Sequence, residues 1–87
     1  MLNILYGATF IKQLNNLPVD FVDDVVIKIE KLKDTKNHKS LKVHKLHGRL
    51  HGSYSFSASY DMRIVFEYTT KNTITLLAIG DHDVYKK

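Results

Sequence analysis

Two groups of side chains in this sequence have the types that chemistry needs. The first is a cationic run of Lys42, His44, Lys45, His47, Arg49 and His51. The second is Asp81, His82, Asp83 and Tyr85, close to the last residue. Arg63 falls between them, two positions after Asp61. Together they match the needs of one reaction, the cutting of RNA without a metal. RNA carries its own nucleophile, the 2′-hydroxyl. A protein has to remove that proton, stabilise charge on a phosphorane-like transition state and protonate the leaving 5′-oxygen. Histidine suits either proton transfer because imidazole titrates near neutrality. Arg63 and the lysines suit the electrostatic task. Tyr85 can stack on a base or donate a proton, and Asp61, Asp81 or Asp83 can orient a histidine.

Each residue also has a plainer reading. His38, His47 and His51 fit a solvated loop, and His44, which alternates with Val43 and Leu46, can face outward. Lys42 and Lys45 suit an edge strand protected against unwanted pairing. Arg63 can pair with Glu67 or another acid, Asp81 or Asp83 can cap a turn, and Tyr85 can pack. The functional case rests on convergence. Competing chemistry is thin. The chain has no cysteine, hence no thiolate nucleophile and no disulfide framework. It has no phosphate loop, no paired-histidine metal motif and no serine nucleophile elbow. His44, His47 and His51 fit zinc by type, but no structural spacing motif matches. No cofactor is implied.

The elements that must position these residues follow from hydropathy. Eighty-seven residues with a 44% apolar share make one small domain with a modest core. Leu2 to Tyr6 reads as a short strand ended by Gly7. A helix is predicted from about Thr9, its N-cap, with Phe10, Ile11, Leu14 and Leu17 on one stripe. Pro18 opens a second helix with aspartates early and lysines late, the polarity a helix dipole favours. Its predicted buried stripe is Phe21, Val22, Val25, Val26, Ile29 and Leu32. Leu41 to Leu46 alternates and reads as a short edge strand or an extended arm. Tyr54, Phe56 and Ala58 alternate with serines, and Met62, Ile64, Phe66 and Tyr68 alternate with Arg63, Val65 and Glu67. That pattern makes a hairpin turning at Tyr60-Asp61, with a serine- and arginine-bearing face opposite the core. Thr73 to Ile79 is apolar on both parities and reads as the most buried strand. The order gives an α+β fold: an N-terminal strand, a helical hairpin, then antiparallel strands forming one sheet with helices on one face. The sheet is mixed if the first strand lies beside the last.

Charge is uneven. Residues 28–51 carry seven Lys and one Arg against Glu30 and Asp34, a net of +6 in a chain of +4. Such a footprint suits nucleic acid or an acidic protein partner. No apolar run approaches the ~20 residues of a membrane span, and the N-terminus lacks a signal-peptide pattern. A soluble, cytoplasmic protein is expected.

The stretch KVHKLHGRLHGSYSFSASYDMRIVFEY, followed by ITLLAIGDHDVY, resembles the RelE/ParE superfamily of bacterial type II toxins, and within it the RelE- and YafQ-like mRNA interferases. The resemblance covers almost the whole chain and implies the RelE-like microbial ribonuclease-type fold. It implies a cytoplasmic toxin neutralised by a cognate antitoxin, monomeric within a hetero-oligomeric complex. The activity implied is ribosome-dependent cleavage of mRNA in the A site by metal-free 2′-hydroxyl attack. By position, His44 matches the loop histidine of YafQ-like members, Asp61 their hairpin acid, His82 the terminal catalytic histidine and Tyr85 the terminal aromatic. Arg63 matches a RelE-type phosphate-binding arginine. Lys42, Lys45, His47, Arg49 and His51 fit the rRNA- and mRNA-binding surface. The chain departs in three places. One residue fewer separates His82 from Tyr85, Ser57 replaces a further histidine, and Asp81 precedes His82. The alternatives are a ParE-like toxin that poisons DNA gyrase without cutting RNA, and a decayed member that only binds its antitoxin.

Overall fold

A computed structural model describes residues 1–48, 52–59 and 61–81. Arg49, His51, His82 and Tyr85, four of the predicted site residues, lie outside the described residues. The elements are β1 (Asn3–Tyr6), α1 (Ala8–Asn15), α2 (Val19–Leu32), a 3-10 turn (Thr35–Asn37), β2 (His44–Lys45), β3 (Tyr54–Ser57), β4 (Arg63–Thr70) and β5 (Thr73–Gly80). They form one five-stranded sheet in the order β1-β5-β4-β3-β2. β1 runs parallel to β5 and every other pair is antiparallel, so the sheet is mixed. This is the expected α+β architecture.

The two helices cover one sheet face. Phe10 from α1 and Val25, Ile29 and Leu32 from α2 are buried in one core with Phe56, Ile64, Phe66, Ile74, Leu76 and Ile79. The α2 stripe is narrower than hydropathy predicted. Val25, Ile29 and Leu32 are buried, whereas Phe21, Val26 and Ile27 are about half exposed. Successive residues turn a helix by about 100°, so Val26, next to Val25, falls on the shoulder of the contact. Ile11 beside Phe10 does the same and is also exposed. The N-cap of α1 is Gly7 instead of Thr9, and no side chain caps it.

β5 departs from simple alternation for an identifiable reason. Val65 pairs with Ala78, but Phe66 pairs with Leu76, so Leu77 is a bulge with no partner on β4. The bulge moves the core-facing parity from Ile74 and Leu76 to Ile79. Apolar residues on both parities therefore mark a register shift here, not a strand buried on both faces. Leu77 and Ala78 are only half-buried, and β4, not β5, is the central strand.

Past Leu76, β5 has no strand on its β1 side, because the pairing ends at Tyr6. Gln13 of α1 fills that gap: its Oε1 accepts a hydrogen bond from the Ile79 amide at 2.8 Å. Gln13→Leu removes the acceptor from a buried amide. The expected cost is about 1–3 kcal/mol in chemical denaturation, with Gln13→Glu losing less because a carboxylate still accepts. No described helix is long and apolar enough to cross a membrane.

Candidate functional site

The cationic run begins with a tight turn. Leu41 is buried under the sheet, its amide bonded to the Asn37 carbonyl, and Val43 bonds back to His38. Lys42 between them takes φ of 61°, the left-handed region that costs a residue with a Cβ. This conformation places its carbonyl 2.8 Å from Nδ1 of His44. A carbonyl only accepts, so Nδ1 carries the proton in that hydrogen bond. In the neutral ring Nε2 is then the unprotonated nitrogen, with its lone pair available to a substrate.

Strand pairing sets what His44 faces. His44 pairs with Ser55, Ser55 with Val65, and Val65 with Ala78. In the next row Ser57 pairs with Arg63, and Arg63 with Gly80. Paired residues share a sheet face, and so do residues two apart on a strand. His44, Ser57 and Arg63 therefore stand on the face opposite the helices, where β5 ends. Two strand spacings and two residue rises put the Cα atoms of His44 and Arg63 roughly 12 Å apart. Both side chains are long enough to meet on one phosphodiester between them. Arg63 also donates from Nη1 to the Met62 carbonyl at 3.2 Å, which aligns the base of its guanidinium.

The other predicted residues divide. Asp61 is exposed in the β3–β4 turn, closed by the Ala58 amide on the Met62 carbonyl, and no hydrogen bond joins it to His44. Lys45 pairs with Tyr54, so it stands on the helix side of the sheet, away from His44. His47 and Lys42 are exposed near the same edge. The basic run is thus split across both faces of β2. The serine row is less open than expected: Ser55 is fully buried and Ser53 nearly so, which leaves Ser57 and Ser59 half-buried. His38 does not belong to a solvated loop. Its Nε2 donates to the Leu32 carbonyl at 2.8 Å and the Asn37 side-chain Nδ2 donates to the Lys31 carbonyl at 2.9 Å, so both cap the end of α2. Among the described residues no three His, Cys, Asp or Glu side chains are grouped to hold a metal.

Hydropathy missed one feature. A cavity of about 330 Å³ opens at the β2–β3 end, lined by Lys45, Leu46, His47, Gly52, Ser53 and Tyr54. Tyr54 stacks on Phe66 with ring centroids 5.5 Å apart and meets Tyr68 edge-on at 5.3 Å. Burial, and then the neighbouring Tyr54, raise the Tyr68 phenol above the usual tyrosine range. An aromatic followed by serines beside a basic run was the available signal. A larger cavity of about 640 Å³ runs along β1 and contains none of the predicted site residues.

No family model matches the sequence, and no curated protein matches it. Solved structures do. The conserved hypothetical protein HP0894 of Helicobacter pylori superposes with a TM-score of 0.73 at 19% identity, over 95% of this chain and 97% of that one. A chain of the RelBE2 toxin–antitoxin complex of Mycobacterium tuberculosis gives 0.69 at 16% identity, over 93% and 98%. YafQ of Escherichia coli gives 0.70 at 12% identity, over the whole of both chains. The fold of this chain is the fold of RelE-, YoeB- and YafQ-type toxins.

Proposed function

We propose that this chain is the toxin of a type II toxin–antitoxin pair and acts as a ribosome-dependent endoribonuclease on mRNA. One observation supports this most: strand register aligns His44, with Nε2 open, and Arg63 on the face of a RelE-like sheet opposite the helices. β5 ends at Gly80, the register partner of Arg63, two residues before His82 in the chain. Similarity to toxins solved with antitoxin partners supports a cognate antitoxin.

In the proposed reaction, Nε2 of His44 takes the proton of a ribose 2′-hydroxyl. The 2′-oxygen attacks the adjacent phosphorus, and Arg63 hydrogen-bonds the non-bridging oxygens as their charge grows. The bond to the 5′-oxygen breaks and that oxygen takes a proton from the His82 imidazolium, leaving a 2′,3′-cyclic phosphate and a 5′-hydroxyl. Asp61 is the candidate carboxylate to hold a histidine in place, and Tyr85 the candidate to stack on a neighbouring base. Lys42, Lys45, His47, Arg49 and His51 bind backbone phosphates. His44 is exposed on the edge strand and cannot orient a flexible strand by enclosure. Orientation of this kind is a large share of catalysis, which is why the ribosome is included as the body that holds the mRNA.

The test is induced expression with primer extension on an abundant mRNA, beside His82→Ala and Arg63→Ala. Cuts within translated codons that vanish in the variants are expected. Growth arrest with intact mRNA and accumulated gyrase–DNA complexes would move the reading to a gyrase poison. Neither arrest nor cuts would leave an antitoxin-binding member without activity.

A further inference from the structure

The cavity at the β2–β3 end has an aromatic wall that the catalytic reading does not use. Lys45, Tyr54 and Phe66 are successive register partners on β2, β3 and β4, so their side chains stand in one row on the helix side of the sheet. Tyr54 and Phe66 are close to parallel, 15° apart, so one face of the Tyr54 ring is taken by Phe66. The other ring face is directed along the row toward Lys45 and the cavity that both residues line. Tyr68 meets Tyr54 edge-on and limits its rotation. The cavity thus has an aromatic wall backed by a second ring, two exposed cation-forming side chains in Lys45 and His47, and a hydroxyl in Ser53. Its volume of about 330 Å³ suits one nucleotide and not an extended ligand.

We infer that this cavity is a base-stacking subsite for single-stranded RNA, with Tyr54 as the platform and Lys45 and His47 holding the adjoining phosphate. The inference rests on the RNA-cleavage reading and extends it to a second position on the strand. β2 is the sheet edge, and its two residues point to opposite faces: His44 to the face opposite the helices, Lys45 to this cavity. An RNA strand crossing the edge of β2 meets the cleavage face on one side and the stacking wall on the other. Base–aromatic stacking combined with a cationic groove is a general way to hold single strands with little regard to sequence.

The probe is a short single-stranded 2′-O-methyl RNA, which has no 2′-proton to lose and cannot be cut. A matched set carries one abasic position, moved along the strand. With the unaltered full chain, fluorescence anisotropy is expected to show about tenfold weaker binding when one particular position is abasic. In Tyr54→Leu that difference disappears, and in Tyr54→Phe, which keeps the ring, it is retained. Equal binding of intact and abasic probes by the unaltered chain, at every position, overturns the subsite even if the variants misfold. A poly-glutamate peptide that shifts the Tyr54 ring resonances when the RNA does not would assign the cavity to an acidic protein partner and also overturn it. Weaker binding at one abasic position with no cuts in cellular mRNA leaves the subsite and removes the nuclease reading. Cuts with equal binding of intact and abasic probes do the reverse.

Discussion

His44→Ala is expected to lower mRNA cleavage on programmed ribosomes by two to four orders of magnitude, the usual worth of a positioned acid–base group. The cause lies at Lys42, two residues before the histidine. Its left-handed backbone turns a carbonyl onto His44 Nδ1, and that hydrogen bond fixes the Nδ1–H form of the neutral ring. Nε2 is then an acceptor in that state, which supports the proposed role of His44 as the base, with His82 as the proposed acid. Two measurements check the two links separately. Imidazole nitrogen shifts report the tautomer, and a ring with Nε2 protonated in the neutral form would break the first link. Cleavage by His44→Ala within a few-fold of the unaltered chain would break the second. His44→Gln keeps a polar side chain of similar length but cannot accept and release a proton at neutral pH, so it is expected to fall as far as alanine. Arg63→Lys keeps the charge but loses the planar fork, and is expected to lose about tenfold or more, since a point charge cannot hold two phosphate oxygens in the same way.

How far these features could be read from the residues depended on the length scale of the force behind each. The helical hairpin and β3–β4 were legible because burial imposes periods of 3.6 and 2 over many residues, and Phe10, Val25, Ile29, Phe56 and Ile64 keep those periods. His44 and Arg63 sharing a face was half legible: alternation placed each on its strand, but only the register of β2 on β3 and β3 on β4 joined them. What was not legible arises from single contacts. A bulge at Leu77 disguised the parity of β5. One hydrogen bond to Leu32 takes His38 out of the set of free histidines. The placement of Lys45 opposite to His44 was hidden because the alternation of Leu41 to Leu46 breaks at this adjacent polar pair, the two residues of β2. The burial of Ser55 likewise came from packing across the sheet, which alternation cannot rank.

Gly7→Ala is expected to be the most damaging conservative change in the described fold. The reason is not conformational freedom, because Gly7 has φ of −66° and ψ of 153°, which any residue adopts. The reason is proximity. A Cβ at Gly7 would lie 2.6 Å from the Leu76 carbonyl oxygen, well inside contact distance, and the obstacle is backbone, not a side chain that can swing away. Gly7 also donates its amide to that same oxygen at 2.9 Å and accepts from Ile11 at 3.0 Å, so β1, α1 and β5 meet at this residue. Relief would require moving α1, which Gln13 ties to Ile79, or moving β5, whose bulge lies at the next residue. Overpacking a fixed site costs about 1–3 kcal/mol and sometimes more; at the upper end, a domain of this size loses roughly 12–24 °C in melting temperature. Gly48→Ala provides the contrast. Its Cβ meets open space, but φ is +69°, so the cost there is backbone strain. Asparagine, which tolerates that region, should recover part of the loss at position 48 and none at position 7. A Gly7→Ala protein melting within two degrees or so of the unaltered chain would mean that β1 and β5 are not packed as closely as described. The consequence reaches the site, because β5 carries Ala78 and Gly80, the register partners of Val65 and Arg63. A shift of β5 at Leu76 changes the row on which Arg63 stands, so residual folded Gly7→Ala is expected to cleave more slowly than its folded fraction alone would allow.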